Sequence, residues 1–211
     1  MRKITRMAAP AALMMAAVLS LNVAQVRAAD AIPAVGQAAP GFTLPSQTGA
    51  QISLSSFAGK WVVLYFYPKD QTPGCTIEAH NFQTALPQFE AKNAVILGVS
   101  VDSPDSHQQF CTKEGLTFRL LADTSHTVVS AYGSLASSGT MASRNTFLIN
   151  PQGKIAQVWT SVSPQTTVPI VLAAISGGAT QAAPAAVERN VARPDSLSVK
   201  PPPPSSTTPQ Q

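Results

Sequence analysis

From Trp61 to Tyr67 the chain runs seven apolar residues without a break, Trp-Val-Val-Leu-Tyr-Phe-Tyr, rich in β-branched and aromatic types. A run of that length and composition predicts a strand buried on both faces, as in the centre of an α/β sheet. Upstream, Phe42-Thr-Leu and Ile52-Ser-Leu alternate apolar and polar on either side of Gln47-Thr-Gly-Ala, the pattern of a hairpin, and Ser55 to Gly59 reads as a short helical turn. Downstream, Thr72 followed by Pro73 gives an N-cap and a first helical residue. Ile77, Phe82, Leu86 and Phe89 then recur at near-helical spacing, with Pro87 expected to kink or split the helix. Val95 to Val101 is a second buried strand, so strand, helix and strand form a βαβ unit.

The same punctuation repeats further on. Ser103-Pro104 starts a helix that runs to about Glu114 and stops at Gly115. Phe118 to Ala122 reads as a short strand and Thr127 to Tyr132 as a helical turn or two. Asn145 to Asn150 and Lys154 to Trp159 are strands joined by Asn150-Pro-Gln-Gly153, and Val168 to Ile175 is a closing apolar helix. The alternation predicts an α/β class with helices flanking a central sheet.

Composition divides the 211 residues into three parts. Residues 1–28 place Arg2, Lys3 and Arg6 before an apolar run from Met7 to Val23, and end in Val26-Arg-Ala28. That order predicts a cleavable export signal, cut after Ala28, and no lasting membrane anchor. Removing it takes four of the fourteen basic residues, and the remaining ten balance the ten acids. The net charge of +4 is therefore no argument for a nucleic-acid partner or an anionic lipid surface. Residues 29–177 are the expected folded domain. Residues 178–211, with the Pro201–Pro204 run and a single Leu, hold too little apolar surface to offset the entropy of ordering and predict a disordered tail.

Two cysteines, Cys75 and Cys111, both follow the expected cut. In an exported protein an even count argues first for a structural disulfide. The surroundings of Cys75 argue for chemistry instead. It falls in the first turn of a helix that follows a buried strand, where unpaired backbone N–H groups and the helix dipole favour a negative sulfur. Ionisation alone is a modest device: an ordinary thiol is roughly 5% thiolate near neutrality, so full ionisation gains only about twentyfold. A fast reaction needs donors for the charge that develops on a leaving group. Thr72, three residues before Cys75, can bring a hydroxyl near it, and Arg144, at the head of a predicted strand, can bring a cation. Each has a plainer reading, as a helix cap and a surface arginine. Pro68, which lacks an N–H, shapes the turn before the helix, and simple turn geometry is its plainer reading.

Pro68-x-x-x-Thr72-x-x-Cys75 resembles the active-site pattern of the peroxiredoxins. The wider string Phe66-Tyr-Pro-Lys-Asp-Gln-Thr-Pro-Gly-Cys-Thr-Ile-Glu78 resembles that of the bacterioferritin comigratory protein or peroxiredoxin Q group. The likeness continues through Leu97–Asp102, Ser106–Phe110, Leu120–Asp123 and Arg144–Ile149 in one order over roughly residues 36 to 175. It implies a thioredoxin-like fold, with Cys75 as the cysteine that attacks a hydroperoxide and Thr72, Arg144 and Pro68 around it. It implies further a thioredoxin-like protein as reductant, no metal, haem or flavin cofactor, and a monomer. Many members of the group carry a resolving cysteine five residues after the attacking one; here that position is His80, which lies off the helical face of Cys75. Others place it on the next helix, where this chain has Cys111. A static Cys75–Cys111 staple in a binding module and a thioredoxin-fold disulfide reductase remain as competing readings, the second weakened by the absence of Cys-x-x-Cys. His107 and His126 read as polar surface residues, and no spacing of histidines and cysteines suits zinc.

Overall fold

The computed structural model describes residues 31–177; the expected export signal and the Pro-rich tail lie outside them. The element order is β1 (Thr43–Pro45), β2 (Gln51–Ser53), a 3-10 turn (Leu54–Phe57), β3 (Trp61–Phe66), α1 (Pro73–Glu90), β4 (Ala94–Ser100), α2 (Pro104–Glu114), β5 (Arg119–Ala122), α3 (Thr127–Ala131), β6 (Thr146–Ile149), β7 (Ile155–Trp159) and α4 (Thr167–Ser176). β1 and β2 form the antiparallel hairpin that the alternation predicts. The other strands make one mixed sheet in the order β5-β4-β3-β6-β7, with β3, β4 and β5 mutually parallel and β6 and β7 antiparallel to their neighbours.

The unbroken apolar run of β3 has the burial it predicts. Its side chains alternate between two cores because successive residues of a strand point to opposite faces. Val63, Tyr65 and the following Tyr67 face α1, α2 and α4, through Phe82, Phe89, Phe110, Val171 and Ile175. Val62, Leu64 and Phe66 face the other layer, made by the hairpin and α3, through Phe42, Leu44, Val129 and Tyr132. Helices thus flank a central mixed sheet, as expected.

The helix signals of α2 act as written: the Ser103 hydroxyl accepts from the Ser106 N–H at 3.2 Å, and Gly115 closes the helix with φ 65°. The Asn150–Gly153 turn is held by Asn150 Oδ1, which accepts from the N–H groups of Gln152 and Lys154 at 3.1 and 2.9 Å. Two features differ from the simplest reading of their signals. Pro87 does not split α1, which continues to Glu90. The proline sits in the last turn, where it removes one backbone bond and few residues remain to be redirected. Thr72 occupies the N-cap position of α1, but its side chain makes no capping bond. Its hydroxyl turns back and donates to the Lys69 carbonyl at 3.1 Å.

Candidate active site

The segment after β3 loops through Pro68, Lys69 and Asp70 and passes Gln71, whose φ of 58° puts it in the left-handed region. That turn swings the chain from the C-terminal end of the central strand β3 into α1, where the Thr76 N–H donates to the Thr72 carbonyl at 2.9 Å as the first helical bond. Cys75 is the third residue of α1 and only 2% exposed. Its sulfur accepts a hydrogen bond from Arg144 Nη2 at 3.2 Å. The guanidinium lies over the first turn of α1, with Nη2 3.5 Å from where a Cβ on Gly74 would stand.

Arg144 is held at both ends. Its carbonyl accepts from the Val162 N–H, and the next residue, Asn145, donates to Ser134 Oγ at 3.0 Å and accepts from the Ser161 N–H at 3.1 Å. At the other end, Nη1 donates to Glu78 Oε2 in an ion pair whose acid is wholly buried. The second oxygen, Glu78 Oε1, has the Thr167 hydroxyl at 3.2 Å. Burial pushes the Glu78 carboxyl above its ordinary value while the Arg144 charge pulls it down. The cation is therefore tethered from behind and presents its other nitrogen to the sulfur. Tyr65 walls the site from the sheet side, stacked between Tyr67 and Phe82 at 5.5 and 4.6 Å. Burial, followed by the nearby Glu78 and Cys75, raises its phenol well above the usual range.

Of the residues singled out in the sequence, the fold brings Arg144 to Cys75 from 69 positions away. Pro68 and Thr72 sit half-buried in the loop before the helix. The Thr72 proton is committed to Lys69. Cys111 lies buried on α2, and both cysteines are free thiols. Burial, with Asp70 as a nearby negative charge, pushes the Cys111 thiol up to about 11. His80 pairs on the surface with Glu114 at 2.8 Å, away from the sulfur. His107 corrects the surface reading: it is wholly buried and paired with Asp70 at 2.8 Å. Glu78 is the site residue that reading the chain left unassigned, although its place one helical turn after Cys75 puts it on the same face.

Residues 35–158 match the model of the AhpC/TSA family. The chain belongs to this family, in its bacterioferritin comigratory protein and peroxiredoxin Q group. Peroxiredoxin Bcp of Xanthomonas campestris is 38% identical over 158 residues, covering 72% of this chain and 99% of that one. A putative peroxiredoxin bcp of Coxiella burnetii is 45% identical over 134 residues, 61% of this chain and 89% of its own. Among solved structures, the Xanthomonas campestris bacterioferritin comigratory protein, studied for its alkyl peroxide reduction activity, superimposes with a TM-score of 0.62 at 38% identity. That match covers 65% of this chain and 92% of its own. Peroxiredoxin Q of Xylella fastidiosa gives 0.66 at 34% identity, over 70% and 98%. This peroxiredoxin is a thiol peroxidase with a thioredoxin-like fold.

Proposed function

We propose that Cys75 reduces hydrogen peroxide and organic hydroperoxides and that Cys111 resolves the product. The observation that carries this reading is the 3.2 Å contact between Arg144 Nη2 and the Cys75 sulfur, with the guanidinium anchored by buried Glu78. The thiolate attacks one peroxide oxygen, the O–O bond breaks, and hydroxide or alkoxide leaves as Cys75 becomes a sulfenic acid. Arg144 is placed to follow the charge from sulfur to the leaving oxygen, aided by the free N–H groups of the first turn of α1. Because the Thr72 hydroxyl donates to Lys69, its oxygen is left as an acceptor for the O–H of the incoming peroxide. Pro68, without an N–H, shapes the turn that shields the sulfur.

In the second half-reaction the Cys111 thiol condenses with the sulfenic acid, forming a disulfide and releasing water. Cysteines on two separate helices seldom start in disulfide geometry, which needs Cα atoms within about 7 Å and suitably directed Cβ vectors, so α2 and the start of α1 are expected to loosen for this step. A thioredoxin-like dithiol then returns both thiols by exchange. Reduced protein treated with one equivalent of hydrogen peroxide should gain a Cys75–Cys111 bridge by peptide mass. Cys111→Ser should instead hold a sulfenic acid on Cys75 that dimedone traps. A bridge-free wild type that consumes peroxide would place resolution on an external thiol.

Residues 1–28 support export and a periplasmic site of action. Protein recovered from the cell envelope should then begin at Ala29; a product retaining residues 1–28 would contradict cleavage.

A further inference from the structure

Five residues before Cys75, Asp70 is 6% exposed and carries three donors on its carboxylate. Tyr67 Oη donates to Oδ1 at 2.7 Å, and Ser106 Oγ and His107 Nδ1 lie 2.7 and 2.8 Å from Oδ2. Its N–H donates to Asp102 Oδ2 at 2.9 Å. Two of the three donors belong to α2, and Cys111 lies one helical turn beyond His107 on the same face. The cluster therefore ties the loop that leads into the helix of one cysteine to the helix that carries the other.

Beside the cluster, α2 is held by Phe110 and Cys111, which enter the core shared with α1 and α4. Of its eleven residues only His107, Phe110 and Cys111 are buried, and an isolated helix of that length is marginal in water. An exposed His80–Glu114 contact tethers its far end to α1. A buried charge with polar partners is a poor stabiliser compared with apolar packing and is better suited to fixing one arrangement. The His107 ring is wholly buried, and its Nδ1 contact to Asp70 is the closer of its polar contacts among the described residues.

We propose that the Asp70–Ser106–His107 cluster is a latch that holds α2 against the Cys75 loop and sets how fast Cys111 reaches the sulfenic acid. The inference rests on Cys111 as the resolving thiol. The chemistry is unchanged: Cys75 S–OH and Cys111 S–H give the disulfide and water, with no further oxidant. Docked α2 also keeps Cys111 beside the Asp70 charge and out of water, so that its thiol, at about 11, stays protonated until the helix leaves. Ser106 and His107 are positioning residues here, since neither touches the sulfur of Cys75.

The test follows full-length reduced protein through one turnover with hydrogen peroxide, quenching with an alkylating agent and reading Cys75 and Cys111 by mass. Ser106→Ala, a half-buried and mild change, and His107→Leu should each form the Cys75–Cys111 bridge about tenfold faster than wild type, as expected for loss of one hydrogen bond to a charged group. The yield of Cys75 sulfinic acid at high peroxide should fall in proportion, while the first oxidation keeps its rate within about twofold. His107→Asn, whose amide can replace the Nδ1 donor, should return bridge formation toward the wild-type rate. Bridge formation at the wild-type rate in Ser106→Ala and His107→Leu, with only a lowered melting temperature, would overturn the latch. A wild type that forms no bridge would overturn the resolving role of Cys111, and the latch with it.

Discussion

Replacing Arg144 by methionine is expected to slow oxidation of the reduced protein by hydrogen peroxide by about 10²- to 10³-fold, the usual consequence of removing one donor aimed at a developing oxyanion. The guanidinium supplies the hydrogen bond that the structure gives the Cys75 sulfur, and in the proposed mechanism its charge follows to the oxygen that leaves. The substitution also strands Glu78, a wholly buried acid, without its counter-charge. Breaking a buried pair from one side costs about 3–5 kcal/mol, a large share of the roughly 5–15 kcal/mol that holds a domain together. Without the cation only the Thr167 hydroxyl opposes the burial that already raises the Glu78 carboxyl, so its folded value climbs further. An acid whose folded value lies above its unfolded one contributes stability below the unfolded value and loses it as pH rises through the folded one. The variant should therefore regain stability relative to wild type as the solution is acidified. Adding Glu78→Gln should recover much of the melting temperature at neutral pH and none of the rate. Stopped-flow oxidation rates and thermal melts of the single and double variants separate the two roles, and recovery of the rate in the double variant would remove Arg144 from the chemistry.

The parts of the fold that were legible are those encoded locally. The apolar run from Trp61 to Tyr67 is long enough to require burial on both sides, and the Ser103-Pro104 and Asn150–Gly153 signals each fix a backbone turn with their own atoms. Thr72 shows the limit of that logic. It stands where a cap belongs, but the left-handed Gln71 before it brings the Lys69 carbonyl within reach, and the hydroxyl takes that partner instead. Pro87 misleads for the opposite reason, since a proline so near the end of a helix has little left to break. The family pattern around Cys75 pointed to Arg144, which no local rule could have joined to a cysteine 69 residues earlier. Glu78 and His107 escaped because their meaning is a partner far along the chain, Arg144 for one and Asp70 for the other. The role of a polar residue on a helix stays hidden until the fold supplies what it faces.

Peroxide consumption by Cys75→Ser, with excess dithiol present, tests most directly whether this one sulfur is where oxygen is transferred. Serine nearly matches cysteine in size, so the buried first turn of α1 should keep its packing with Arg144 and Glu78 in place. A hydroxyl oxygen cannot be raised to a sulfenic acid. Cys111 cannot substitute: at about 11 its thiol is only about one part in 10⁴ ionised at pH 7, and it is buried on α2. The variant should fold as wild type does and consume hydrogen peroxide no faster than the dithiol alone, a loss on the order of 10⁶-fold if the enzyme is an ordinary catalyst. Consumption at the wild-type rate by a folded Cys75→Ser protein would contradict the account.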